Sequence, residues 1–195
     1  MNKKTVALTK EQCLEIITTM QEGFPEDKER GIAEFKPNKR AAMALMLEAN
    51  LGLRISDILD LRLSDIIRDG ARYRLDIVEK KTGKDRNFTV PAEIYQWLEN
   101  YCLRNEIGKN ELIFPVKERG IQKQLKLVCD YLGYERISTH SFRKFYATAI
   151  YESSGYNIEL VRQLLQHSSV KTTQRYIGIQ PEVVEGAIRN HMLLI

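Results

Sequence analysis

Arg72-Tyr73-Arg74-Leu75-Asp76-Ile77-Val78-Glu79-Lys80-Lys81-Thr82-Gly83-Lys84-Asp85-Arg86-Asn87-Phe88-Thr89-Val90 is the stretch on which the fold turns. Tyr73, Leu75 and Ile77 alternate with Arg72, Arg74 and Asp76, the period of a half-buried strand. Thr82-Gly83 supplies a turn, and Phe88 and Val90 alternate on the return, so the stretch predicts a β-hairpin. Its tip is basic, carrying Lys80, Lys81, Lys84 and Arg86.

On both sides of the hairpin the period is helical. Upstream, residues 10–21 predict a first helix, and 23–38, with Gly23, Pro25, Gly31 and Pro37 among charges, predict a loop. From Asn38 a second helix begins. Residues 41–47 are apolar on nearly every face, the mark of a helix surrounded by others. Gly52 ends it in a left-handed turn, and Ser56 is placed to cap a short helix carrying Ile58, Leu59 and Leu61. Downstream, Ile94, Trp97, Leu98, Tyr101 and Cys102 form one amphipathic stripe, with Trp97 read as core. Ile121, Leu125, Val128 and Leu132 form another, stopped by Gly133. Ser138 or Thr139 caps a helix through His140, Arg143, Phe145 and Ala149 to Gly155. Asn157 caps the next, which ends at His167, and Pro181 opens a last helix finishing in Met192-Leu193-Leu194-Ile195. No βαβ rhythm is present, so the expected class is α+β, mainly helical with one small sheet.

The chain has 195 residues, a size suited to one domain with a core that needs no disulfides. Cys13, Cys102 and Cys129 are scattered and odd in number, which reads as reduced, buried thiols in a cytoplasmic protein. No apolar run approaches the roughly 18–20 residues of a membrane span, and no signal peptide precedes the polar start. The net charge is +4. Residues 1–100 balance 17 basic against 17 acidic side chains, whereas 101–195 hold 13 against 9, so the whole excess lies in the second half. That bias permits a polyanionic partner without demonstrating one.

Taken singly, the polar candidates have ordinary structural readings. Arg54 suits a surface, Lys81 a solvated turn, His140 and Arg143 one shared helix face, and His167 the negative end of its own helix. Their order and context say more. Gly52-Leu53-Arg54-Ile55-Ser56-Asp57-Ile58-Leu59-Asp60-Leu61-Arg62 resembles the first arginine box of the tyrosine recombinases, the phage-integrase family. Lys81-Thr82-Gly83-Lys84-Asp85-Arg86 before Val90-Pro91 resembles that family's lysine hairpin, and His140-Ser141-Phe142-Arg143 its HxxR box. Leu164-Leu165-Gln166-His167-Ser168-Ser169 is similar to its LLGHSS segment, with Gln166 where glycine is usual. Thr172-Thr173-Gln174-Arg175-Tyr176 is similar to the box of the nucleophilic tyrosine. Arg143 precedes Tyr176 by 33 residues and His167 precedes it by nine, spacings that suit the family.

The resemblance implies a catalytic domain with a three-stranded antiparallel sheet whose hairpin presents Lys81. It implies a site-specific recombinase or integrase that cuts and rejoins double-stranded DNA through a 3′-phosphotyrosine, for integration, excision or inversion of a bacterial or phage-derived element. Tyr176 is then the nucleophile and Lys81 the donor to the leaving 5′ oxygen. His140 accepts the phenol proton or bonds the phosphate, and His167 holds a phosphate oxygen. Asp57 stands where the family places an acidic residue that orients the site, with helix capping as its plain alternative. The residue types fit this chemistry on their own terms. A covalent phosphoester stores the energy of the cleaved bond, and Arg54 and Arg143 offer planar, permanently charged forks to a pentacoordinate phosphate. Losing one such donor typically costs about 2.7–4 kcal/mol of transition-state stabilisation. No two-metal carboxylate set, Walker A loop or zinc spacing occurs, so neither metal nor cofactor is expected.

Lys84, Arg86, Lys144, Lys171 and Arg175 are candidate DNA contacts, each equally readable as solvated surface. Only about fifty residues precede Arg54, so an N-terminal core-binding domain is read as absent. The chain is either an excised catalytic domain or a short member like the fimbrial-switch recombinases, and weak, salt-sensitive binding follows for it alone. The apolar tail either packs on its own domain or docks into a neighbouring protomer, giving dimers or tetramers on DNA. Two other readings compete. Residues 158–177 also read as a helix-turn-helix of a non-catalytic DNA-binding protein, and a domain without its clamp could mainly relax supercoils.

Overall fold

The computed structural model describes residues 5–177 and, beyond them, Arg189. Helix α1 (Lys10–Glu22) opens with a capping box in which Thr9 and Gln12 satisfy each other's backbone N–H groups. Helix α2 (Lys39–Leu51) is capped by Asn38, whose side chain accepts from the Ala41 N–H at 2.9 Å. It ends at Gly52 in the left-handed conformation. Ala41, Ala42, Ala44, Leu45, Leu47 and Leu51 are all buried, because α2 packs between α1 and α6 (Thr139–Ser153). The short α3 (Ile55–Leu59) starts from Arg54 with no side-chain cap, so Ser56 lies inside the helix instead of capping it.

Three antiparallel strands follow, β1 (Ile66–Asp69), β2 (Arg72–Val78) and β3 (Asp85–Val90), in the order β1-β2-β3. Leu75 pairs with both Ile66 and Phe88, which sets the register by burying one face. Helices α4 (Ala92–Arg104) and α5 (Glu118–Leu132) complete the main core, and Trp97 is half-buried against it. The architecture is thus the expected one, mainly helical with a small three-stranded antiparallel sheet. The segment read as a plain loop, residues 23–38, is instead a narrow finger. Phe24 and Phe35 pair their backbones, as do Asp27 and Ile32, and Phe24 stacks on Tyr131 at 3.9 Å.

The last described elements are α7 (Ile158–Leu165) and α8 (Val170–Gln174). They rest on the far face of α6, where Ala147, Val161 and Leu165 form a second small core with Tyr146, Ile150, Tyr151 and Tyr176 around it. Helix α6 therefore serves two cores at once, with Phe142 in the first and Ala147 in the second. The helix expected from Pro181 and its apolar end lie outside the described residues. Among those residues, no helix is long and apolar enough to cross a membrane.

Candidate active site

The turn after α2 organises the pocket. At Gly52 the backbone has φ 60°, and a Cβ built there would stand 2.3 Å from Cδ1 of Tyr146. Only glycine meets both conditions. The Gly52 carbonyl accepts from Nη1 of Arg143, and the Leu165 carbonyl accepts from Nη2 at 3.0 Å. One buried guanidinium therefore joins the end of α2 to the end of α7, two segments 113 positions apart in Gly52 and Leu165. Burial, together with the neighbouring Arg54 and Arg86, brings the Arg143 pKa down to about 10, so it stays charged at neutral pH.

Two residues beyond Gly52, Arg54 donates from Nη1 to Oε2 of Glu79 at 2.5 Å, with Asp57 at 3.9 Å. Glu79 is buried and closes the base of the lysine turn. Its carboxylate also accepts from the Thr82 hydroxyl at 2.8 Å, and its carbonyl accepts from the Gly83 N–H. Burial pushes the Glu79 carboxyl up, but the bonds from Arg54 and Thr82 outweigh it and hold the group below its ordinary value. Asp57 accepts from the Lys80 backbone N–H at 3.0 Å, so it anchors the other side of the same turn. Burial raises its pKa despite that bond. Lys81 itself is exposed at the tip, and its charge is among those that lower the pKa of His140.

His140 and His167 enter from α6 and from the turn after α7. Burial first, then Arg143 and Lys81, depress the His140 pKa. Burial and the arginines Arg143, Arg54 and Arg86 bring His167 down to about 4. Both rings are therefore neutral at pH 7. Nδ1 of His167 lies 3.1 Å from the Thr173 hydroxyl, and its ring centroid is 4.6 Å from that of Tyr176. The Arg143 guanidinium sits 5.9 Å from the Tyr176 ring centroid. Arg54, His140, Arg143, His167 and Tyr176 thus share one neighbourhood, and Lys81 is near enough for its charge to act on His140. Helix α8 is five residues long with Thr173 buried, and Tyr176 packs on the second core. That inward packing does not suit the recognition segment of a helix-turn-helix.

The candidate DNA contacts divide. Lys84, Lys171 and Arg175 are exposed. Arg86 is not an outer contact: only 2% of it is exposed, its guanidinium lies 5.0 Å from the Phe88 ring centroid, and its charge acts on Arg143 and His167 inside the pocket wall. Strand alternation places it there, because Arg86 falls on the inward face of β3. Lys144 is partly buried and donates to the Thr5 carbonyl, which binds the N-terminal segment to α6.

Sequence reasoning missed three members of the pocket: Glu79, Tyr146 and Glu48. Glu48 interrupts the apolar run of α2, which is the one signal it leaves. It is fully buried, and burial drives its pKa well above the ordinary range, partly opposed by Arg143 and by the Ile55 backbone N–H.

The class this fold and pocket define is also where comparison places the chain. XerH site-specific recombinase, captured with palindromic difH substrate in a post-cleavage complex, superposes with a TM-score of 0.71 over 93% of this chain and 51% of its own, at 21% identity. The probable integrase/recombinase YoeC of Bacillus subtilis is 30% identical over 159 residues, 78% of this chain and 84% of that protein. Tyrosine recombinase XerA of Pyrococcus furiosus is 25% identical over 187 residues, 90% of this chain but 64% of its own length. The phage integrase family profile matches residues 7–182, and the chain belongs to that family of DNA strand-transferring recombinases.

Proposed function

We propose that this domain cleaves and rejoins double-stranded DNA at specific sites through a 3′-phosphotyrosine at Tyr176. The observation that carries the reading is the convergence of Arg54, Arg143, two neutral imidazoles and a phenol beneath a lysine hairpin. The Tyr176 Oη attacks the scissile phosphorus, its proton passes to neutral His140, and the bond from phosphorus to the 5′ oxygen breaks. Lys81 gives its proton to that oxygen, which leaves as a 5′-hydroxyl. The free end of another strand reverses the sequence, so no bond energy is lost.

Arg54 and Arg143 face the charge that develops on the non-bridging oxygens, where preorganised donors have their largest effect. His167, held by Thr173, lends an uncharged N–H to the same phosphate. Glu79 and Asp57 hold Arg54 and the lysine turn in place. Lys84, Lys171 and Arg175 supply backbone contacts, which position the duplex without reading its sequence. Self-assembly on DNA through the chain's C-terminal end belongs to the same proposal.

A nicked suicide duplex tests it. Once cleaved, such a substrate loses its short 5′-hydroxyl strand and cannot religate, so a covalent protein–DNA adduct accumulates on a denaturing gel. Wild-type protein is expected to give the adduct and Tyr176→Phe none. An adduct undiminished in Tyr176→Phe overturns the assignment.

A further inference from the structure

Leu165, Gln166 and His167 each reach a different part of the pocket. The Leu165 carbonyl receives Arg143, and the His167 ring meets Thr173 beside Tyr176. Gln166, between them, has φ 52° and ψ 37°, a left-handed conformation that disfavours any residue with a Cβ. Glycine would take it freely. The glutamine side chain offsets that strain by reaching across the molecule: Nε2 donates to the Asp85 carbonyl at 2.8 Å, 81 positions away. Asp85 is the first residue of β3, four positions after Lys81. The bond therefore runs from the hairpin that carries the proton donor to the segment that carries the nucleophile.

Resting on the proposed reaction, we infer that Gln166 is a positioning residue that latches the lysine hairpin to the Tyr176 segment. Protonation of the leaving 5′ oxygen requires Lys81 to arrive opposite the attacking phenol while the bond to phosphorus breaks. The tip of the hairpin is exposed and short of packing partners, so its aim depends on what holds its base. Glu79 and Asp57 fix that base to the Arg54 side of the pocket, and Gln166 fixes it to the His167 side.

Single-turnover cleavage at saturating DNA tests the latch, using one substrate with the ordinary 5′ oxygen and one with sulfur at that bridging position. A thiolate leaves without a proton, since a thiol has a pKa of about 8.5. Gln166→Gly relieves the backbone and removes the bond, and Gln166→Glu keeps the shape while removing the N–H donor. Both are expected to cleave the oxygen substrate about tenfold more slowly or worse, with unchanged DNA affinity, and to cleave the sulfur substrate as fast as wild type. Wild-type rates on the oxygen substrate, or a defect of equal size on both substrates, would overturn the latch. Lys81→Ala separates the two levels. If sulfur rescues Lys81→Ala but not the Gln166 variants, only the latch fails; if sulfur does not rescue Lys81→Ala, the role of Lys81 as proton donor fails and the latch with it.

Discussion

At Gly52 the backbone is left-handed, the Cα faces the Tyr146 ring and the carbonyl accepts from Arg143. A methyl group there meets strained backbone and a ring it cannot pass. Gly52→Ala is expected to lose on the order of 3 kcal/mol, combining left-handed strain with overpacking. Urea denaturation checks this, as a lower midpoint with little change in slope. Covalent-adduct formation should fall further than stability accounts for, because a backbone shift that relieves the clash moves the carbonyl that holds Arg143. The order Gly52-Leu53-Arg54 is visible in one dimension, and so is the oddity of Gln166 in a glycine position. The bond from Arg54 to Glu79 is not, because it joins residues 25 positions apart whose meeting depends on how the sheet packs. An arriving phosphate therefore finds Arg54 already paired with an anion, and must share the guanidinium instead of meeting a bare charge.

Among the elements, α2 is the one whose placement governs the rest, since it carries the turn to Arg54 and packs on both α1 and α6. Asn38 starts it and also donates from Nδ2 to Gln124 of α5 at 2.8 Å. Asn38→Ala is expected to cost about 1 kcal/mol as a lost cap, which lowers Tm by roughly 2–4 °C for a chain of this size. Adduct formation on the suicide duplex should be unchanged once the protein is folded, because the cap lies at the opposite end of α2 from Arg54. Calorimetry with the trap assay in parallel checks both halves. Helix boundaries are largely legible, because caps and left-handed stops leave local signatures: Asn38, Gly52, Gly133 and Asn157 all act where their chemistry suggests, although Ser56 does not cap α3. The finger of residues 23–38 is not legible, because its pairing of Phe24 with Phe35 is set by the stacking of Phe24 on Tyr131, a contact between distant segments.

For the whole molecule, buried titratable groups in and around the pocket pull stability in opposite directions with pH. His140 and His167 have folded pKa values below their ordinary one, so the unfolded chain binds more protons as pH falls below about 6.5. Their contribution is present above that pH and is lost as pH falls, down to about 4 for His167. Glu48 does the reverse. Its folded pKa is raised, so the folded chain binds the extra proton, and stability is lost as pH rises above the ordinary carboxylate range. Glu48→Gln places a neutral group of the same shape in that site. It is expected to be more stable than wild type at pH 8, with the advantage shrinking as pH falls towards about 4.5. Thermal melts of both proteins across that range check the sign, and an advantage that grows towards acid would refute the reading of Glu48. The class of fold, most helix ends, the order of the six catalytic candidates and the family are legible in the linear chain, because each is written in local period, caps or short motifs. It takes the packed fold to turn Arg86 inward, to set Lys144 on the N-terminal segment, to pair Glu79 with Arg54, and to stretch Gln166 between two halves of the pocket. These depend on which faces of α6 and the sheet are buried, and burial is a property of the packed chain, in which residues far apart in order exclude water together.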